Sequence, residues 1–430
     1  CPSCMNIREL NGKTVLILGY GKEGQATVKA LEEYAPNAEL TIADKNVAIP
    51  KHTDTHWWQL GDGWLENLEK FDIIIKSPGI PPSATLAKYG AKTIGAVQIF
   101  LDTIAGSGAT VIGVTGSKGK STTSSLIAAM LRHARKDIHL VGNIGDPSIG
   151  HIANAKQGTI FVHEMSSYML EHMTSSPHIA VVTSFFPEHL DYHGSIEAYL
   201  DAKKHIARFQ KENDAVFFNA DSPGAVSIAS EGLGRKIPVH ADDCPVDLAA
   251  TKLIGEHNRE NIALAWKVCE DLGINSTIAI EAAKAFTPLP HRLQPLGTHH
   301  GIRWVDDAIS TTPESAIAAL DALGDDVATI ILGGQDRGND FSGLAARLKN
   351  SCVKTALLFP GSGPRIRAAI EATEATITLI DADSMEQAVS TAKKYTPNGS
   401  IVLLSTASPS YGMFKNFEEK GDIFQKCVRG

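Results

Sequence analysis

Glycine, lysine and serine come together in VTGSKGKSTT, residues 114–123, in an order that suits phosphate. Consecutive backbone amides of Gly116, Ser117, Lys118 and Gly119, at the start of a helix, would wrap phosphate oxygens. Lys120 would set a positive charge on a phosphoryl group in transfer, and Ser121 or Thr122 would reach magnesium. The common triphosphate loop has about four residues between its glycines. Here Gly116 stands only three positions before Gly119, a shorter spacing that leaves the physics of the site intact.

A second glycine pattern lies near the start of the chain. Gly19, Gly21 and Gly24 form G-x-G-x-x-G after the apolar run TVLIL, and Asp44 closes the next run, LTIAD. On spacing this is a diphosphate-binding fingerprint, in which the glycines let backbone amides and a helix N-terminus approach the ligand. The run DIIIKSPG, taken as the third strand, ends in a turn at Ser77, Pro78 and Gly79 that could also meet a ligand.

Glu164 and His189 fall at or just after strand ends, where a carboxylate and an imidazole can hold a metal or phosphate-bound magnesium. Lys203, in EAYLDAKKHI, reads from its surroundings as one of a solvated lysine pair. Arg292 follows the prolines of FTPLPHR, and Asp307 closes IRWVDD. An arginine in a rigid turn can grip phosphate through two nitrogens and an acid can hold a sugar hydroxyl, while a hinge ion pair explains both equally well.

These residues need a scaffold that presents strand ends. Strand, glycine turn and helix alternate along the chain, with no internal repeat, which predicts an α/β protein. At 430 residues more than one core is required. The pattern divides into a Rossmann-like unit over 1–108, a central phosphate-loop unit over 109–288 and a further Rossmann-like unit over 289–430.

The net charge of −8 and pI near 6.1 argue against a nucleic-acid surface, and no apolar run is long enough to span a bilayer. Sparse cysteine usage suggests reduced thiols and a cytoplasmic enzyme acting on small charged molecules. Cys1 and Cys4 form an isolated CxxC with no second pair at zinc-site spacing, so no metal or redox role is expected there.

Taken in order, TGSKGKSTT, GNIG, HEMSSY, PEHLDYHGS, GEHNRENIALA, PLPHRLQPLG and LGGQDRGNDF resemble the Mur ligases along nearly the whole chain, and most of all the branch that adds glutamate to a muramoyl-alanine. The resemblance implies three α/β domains: one for the UDP-sugar, a central ATPase and one for the amino acid. It implies cytoplasmic peptidoglycan precursor synthesis by a monomer, from ATP, UDP-N-acetylmuramoyl-L-alanine and glutamate through an acyl phosphate, with two magnesium ions. No nucleic acid or membrane takes part.

By the same resemblance Lys120 meets the transferred phosphate, and Ser121, Glu164 and His189 belong to the magnesium sites. Lys203 matches a lysine that the family carbamylates, which overrides its solvated reading. Asn258, Asn261, Arg292 and Asp307 fall on ATP contacts; Gly19, Gly21, Gly24, Asp44, Ser77, Pro78, Gly79 and Asn143 fall on the UDP-sugar side.

The amino-acid end departs from the D-glutamate pattern. Ile309 occupies the place of a lysine, and Arg337 stands for a lysine that meets the incoming amino acid, while Thr311, Ser410 and Phe417 keep the pocket's other side chains. The forms ISTTP, DRG and PSYG lean toward a branch that takes L-glutamate, with either isomer open on residues alone. Three rivals stay in view: a folylpolyglutamate synthase, an NAD-dependent dehydrogenase built on the first glycine motif, and a non-catalytic nucleotide-binding protein.

Overall fold

The computed structural model describes residues 5–49 and 56–430; the Cys1 and Cys4 pair lies outside them. The chain forms two compact units: one runs to Thr251 and takes in Arg259–Phe286, the other comprises Lys252–Asn258 and Thr287–Gly430.

The first unit holds two sheets. One contains β1 (Thr14–Leu18), β2 (Glu39–Asp44), β3 (Trp57–Leu60), β4 (Ile73–Lys76) and β5 (Thr93–Ile94), ordered β3-β2-β1-β4-β5 and parallel throughout. The other contains β6 (Thr110–Thr115), β7 (Ile138–Gly142), β8 (Ile160–Glu164), β9 (Ile179–Val182), β10 (Ala215–Asn219) and β11 (Arg235–Val239). Its order is β11-β10-β9-β6-β8-β7, again parallel. One apolar core joins them, with Ile17 and Phe100 in the same cluster as Phe161 and Ile228.

The second unit has β12 (Gln294–His299), β13 (Ile302–Asp306), β14 (Val327–Gly334), β15 (Thr355–Gly361), β16 (Thr378–Asp381) and β17 (Ile401–Leu404). Their order is β12-β13-β17-β14-β15-β16, and only β12 runs antiparallel. The fold is α/β with two parallel sheets and a mixed one.

Central strands such as β4 (IIIK), β9 (IAVV) and β17 (IVLL) are buried along their whole length. That is what helices on both faces of a parallel sheet demand, and it explains unbroken apolar runs in place of alternation. The helix Lys120–His133 buries Leu126, Ile127, Met130 and Leu131, four of the five positions that helical spacing marks; Ala134 is its half-buried C-cap. Among the described residues no helix is long and apolar enough to cross a membrane.

The run DIIIKSPG proves to be the fourth strand. Trp57–Leu60 precedes it as an edge strand with no fully buried residue.

Candidate active site

In a parallel sheet, ligands meet the carboxyl ends of the strands, most readily where the strand order reverses. In the first sheet that point lies between β1 and β4. Gly19 follows β1 at φ +91° and Ser77 follows β4; the Ser77 hydroxyl donates to Gly19 O at 3.0 Å. Gly24 packs its helix so tightly on this turn that any side chain would strike Gly19 O.

Asp44, at the end of β2, is engaged in the turn itself, accepting from Tyr20 N and Asn46 N at 2.8 Å each. Beside the turn, burial pushes the Glu23 carboxyl up to about 7, against the pull of the Lys76 ammonium. Pro78 O receives a hydrogen bond from Tyr192, and Gly79 faces open space.

In the second sheet the loop after β6 is flanked by the ends of β8 and β9. Gly116 (φ +150°) and Gly119 (φ +86°) take backbone conformations that only glycine adopts easily. Any side chain at Gly116 would also collide with the Thr183 hydroxyl. Thr183 and Ser184, after β9, hold the loop by donating to Lys118 O at 2.5 and 3.0 Å, and the Ser184 hydroxyl accepts from Lys118 N at 2.9 Å.

Lys120 opens the helix Lys120–His133 and turns back on the loop, donating to Gly116 O and Ser117 O at 2.8 Å each. Ser121 is half-buried and Thr122 buried in the same first turn. Asn261, from the helix His257–Asp271, reaches this turn and accepts from the Thr123 hydroxyl at 3.1 Å.

Around that loop the structure gathers the other groups. Glu164 ends β8, fully buried; its Oε1 accepts from Asn143 Nδ2 at 3.0 Å, while Oε2 has no hydrogen-bond partner. Asn143 therefore lies on the second sheet, beside Glu164.

Lys203 is 1% exposed and donates to Gly116 O at 2.9 Å, beneath the phosphate loop. Burial, and then the nearby Lys120 charge, hold its ammonium well below the ordinary lysine value. The solvated reading of this lysine is thus corrected: it lies on the inward face of the helix Ile196–Arg208.

His189 has φ +56° and caps the short helix Leu190–His193. Its ring lies 5.1 Å from Tyr168 and 6.0 Å from Tyr199, centre to centre. Tyr199, unmarked by any motif, ties the group together: its hydroxyl is 3.0 Å from Ser117 Oγ and its ring 4.9 Å from Lys203 Nζ.

In the second unit, β13, β17 and β14 are neighbours, and their carboxyl ends carry Asp307 to Thr311, Ser405 to Ser410, and Gly334 to Arg337. Thr406 Oγ1 lies 3.3 Å from Ser310 O and Gln335 N donates to Pro409 O at 2.9 Å, so the three turns interlock. Asp307 accepts from Ser405 Oγ and Leu293 N, and burial raises its carboxyl to about 6. Arg292 precedes Leu293 in the same segment, where its charge helps oppose that rise.

Ser410 Oγ is buried with no hydrogen-bond partner, and Arg337 is exposed, contacting Gln335. Phe417 begins the helix Phe417–Arg429 and packs edge-on against His291. Lys420 on that helix, which no motif marked, is 1% exposed, pushed down by burial to about 8, and donates to Thr406 Oγ1 at 2.6 Å. Asn258 belongs with this unit and donates to Ile254 O at 2.8 Å.

Comparison with known proteins accords with this arrangement. Residues 114–240 match the Mur ligase middle domain and 291–407 the Mur ligase, glutamate ligase domain. The chain is 33% identical to a UDP-N-acetylmuramoyl-L-alanine–L-glutamate ligase of Salinispora tropica over 99% of each chain. It is 34% identical to a UDP-N-acetylmuramoylalanine–D-glutamate ligase of Symbiobacterium thermophilum over 86% of each. The MurF ligase of Thermotoga maritima in complex with ADP superposes with a TM-score of 0.58 at 15% identity, over 99% of this chain and 97% of that one.

Proposed function

The chain belongs to the Mur ligases, ATP-dependent enzymes that form amide bonds, and from that premise we propose that it joins L-glutamate to UDP-N-acetylmuramoyl-L-alanine. The observation that carries the reading is the convergence, within one unit, of the phosphate loop, His189 and Lys203 on Tyr199, with Glu164 charged against Lys203 from the adjoining strand. A dehydrogenase would leave this second glycine loop without a purpose.

In the proposed reaction the alanine carboxylate attacks the γ-phosphorus of ATP and ADP departs. The glutamate amine then attacks the acyl carbon, loses a proton, and inorganic phosphate leaves. Both partners are anionic, so the residues must neutralise charge and hold two groups in line. Lys120 exchanges its two loop carbonyls for phosphoryl oxygens, and the amides of Gly116 through Lys120 hold the phosphates.

A magnesium ion suits Glu164, whose Oε2 is buried and unpartnered, with Ser121 and His189 as further contacts. Among the described residues no three His, Cys, Asp or Glu side chains cluster as a metal site, so the remaining ligands would come from phosphate oxygens and water. Such an ion would neutralise charge on the phosphoryl group being transferred. A neutral, buried Lys203 amine is the form that can add carbon dioxide, which would supply a carboxylate facing Gly116.

The UDP-sugar is assigned to the Gly19 to Gly24 and Ser77 to Gly79 turns with Asp44, and Asn143 is assigned to it as a further contact. ATP is assigned to the phosphate loop with Asn258, Asn261, Arg292 and Asp307, and glutamate to Thr311, Arg337, Ser410 and Phe417. We assign those roles to domains 1–108, 109–288 and 289–430, and the reaction to the cytoplasm. The L isomer is favoured by Ile309 in place of a lysine and by the ISTTP, DRG and PSYG forms.

ADP release that requires the muramoyl substrate and disappears in Lys120→Ala supports this assignment. ADP release indifferent to that substrate contradicts it.

A further inference from the structure

Outside the phosphate site the first unit buries a second lysine. Lys76 ends β4, immediately before Ser77, and is 4% exposed. Its ammonium donates to Ile80 O at 2.7 Å and to the Tyr192 hydroxyl at 2.9 Å, and lies 3.7 Å from the Glu171 carboxylate. A buried ammonium is tolerated only with such partners.

Tyr192 is the point where three segments meet. Its hydroxyl lies 3.1 Å from Pro78 O, 3.0 Å from Ile80 O and 3.1 Å from Glu171 Oε2. A phenol has one proton to give, so with Lys76 donating to it, three acceptors compete for a single hydrogen bond. Two of those acceptors belong to the turn after β4; the third follows the helix Ser167–Leu170, which starts three residues beyond Glu164. Tyr192 itself sits three residues after His189, on the helix that His189 caps. Tyr168, from the Ser167–Leu170 helix, packs its ring 4.2 Å from Tyr192 and 5.1 Å from His189.

We infer that Tyr192, held by Lys76, is a positioning residue that transmits occupation of the Ser77–Pro78–Gly79 turn to His189. A diphosphate or sugar that draws on this turn changes which carbonyl the phenol can satisfy. The phenol, keeping its proton, then donates to Glu171 Oε2 instead, and the helix bearing His189 settles in one arrangement. The inference rests on the assignment of the UDP-sugar to that turn.

Hydrogen exchange of the full-length protein with and without UDP tests it. In the wild type, UDP should slow exchange of the amides of residues 189–194 about tenfold, besides protecting the turns at 19–24 and 77–79. In Tyr192→Phe, and separately in Glu171→Gln, the turns should still be protected while the slowing at 189–194 falls below about twofold. Slowing that persists in both variants overturns the inference, as does a wild type whose turns are protected without any effect at 189–194. If UDP protects neither turn, the UDP-sugar assignment itself fails and the inference with it.

Discussion

Lys120 donates to two carbonyls of its own loop and has to release them to meet a phosphate, so its charge is committed to that loop from the outset. Lys120→Ala should lower kcat about 10²- to 10³-fold, the usual cost of removing one preorganised charge-stabilising group, and leave the melting temperature within a few degrees. Steady-state ADP release and a thermal melt read the two quantities. Glu23 supplies a pH signature on the other substrate. Its carboxyl titrates near 7 because burial disfavours the anion, so it is neutral below that pH and charged above it. The diphosphate diester of a UDP-sugar does not titrate in this range. Binding should therefore weaken up to about tenfold from pH 6 to pH 8 as the Glu23 anion forms beside the phosphates. Calorimetry across that window should show the trend in the wild type and lose it in Glu23→Gln; an unchanged slope in the variant places the titrating group elsewhere.

At the level of elements, each binding turn is held by its neighbours. Gly116→Ala would force a side chain into the Thr183 hydroxyl at a φ of +150°, and should destabilise the fold by about 2–4 kcal/mol, seen as a lower denaturation midpoint. Gly21→Ala has open space and an ordinary φ of −70°, and should cost under about 1 kcal/mol on the same assay. The phosphate loop could be read from sequence because strand, glycines, Lys-Ser and helix are contiguous. Tyr199 could not: its partner Ser117 is 82 residues away, and a tyrosine on an amphipathic helix reads as ordinary core. Lys203 was hidden by Lys204 beside it, since adjacent lysines look solvated until the helix shows which of them faces inward. Tyr192 draws its partners from segments up to 116 residues away, and no local pattern announces that. The Trp57–Leu60 strand, WWQL, shows neither the two-residue alternation nor the Val and Ile run that marks the central strands.

The whole molecule comprises two compact units, the second drawing on Lys252–Asn258 as well as the C-terminal stretch. Chains of this kind depart from all-or-none unfolding. Scanning calorimetry should resolve two transitions, and UDP should raise only the one belonging to the unit with β1 and β4, by mass action on its folded state. A UDP-dependent shift of both would contradict confinement of that site to the first unit. The alternation of strand and helix made this architecture readable from sequence, while the single core shared by the first two sheets depends on apolar contacts between distant segments such as Phe100 and Phe161. The most direct test of the proposed activity supplies the purified protein with ATP, magnesium and UDP-N-acetylmuramoyl-L-alanine, together with either L-glutamate or D-glutamate, and follows the dipeptide product by mass. Product and equimolar ADP with L-glutamate are predicted. Product with D-glutamate alone, or with neither isomer, would contradict the assignment.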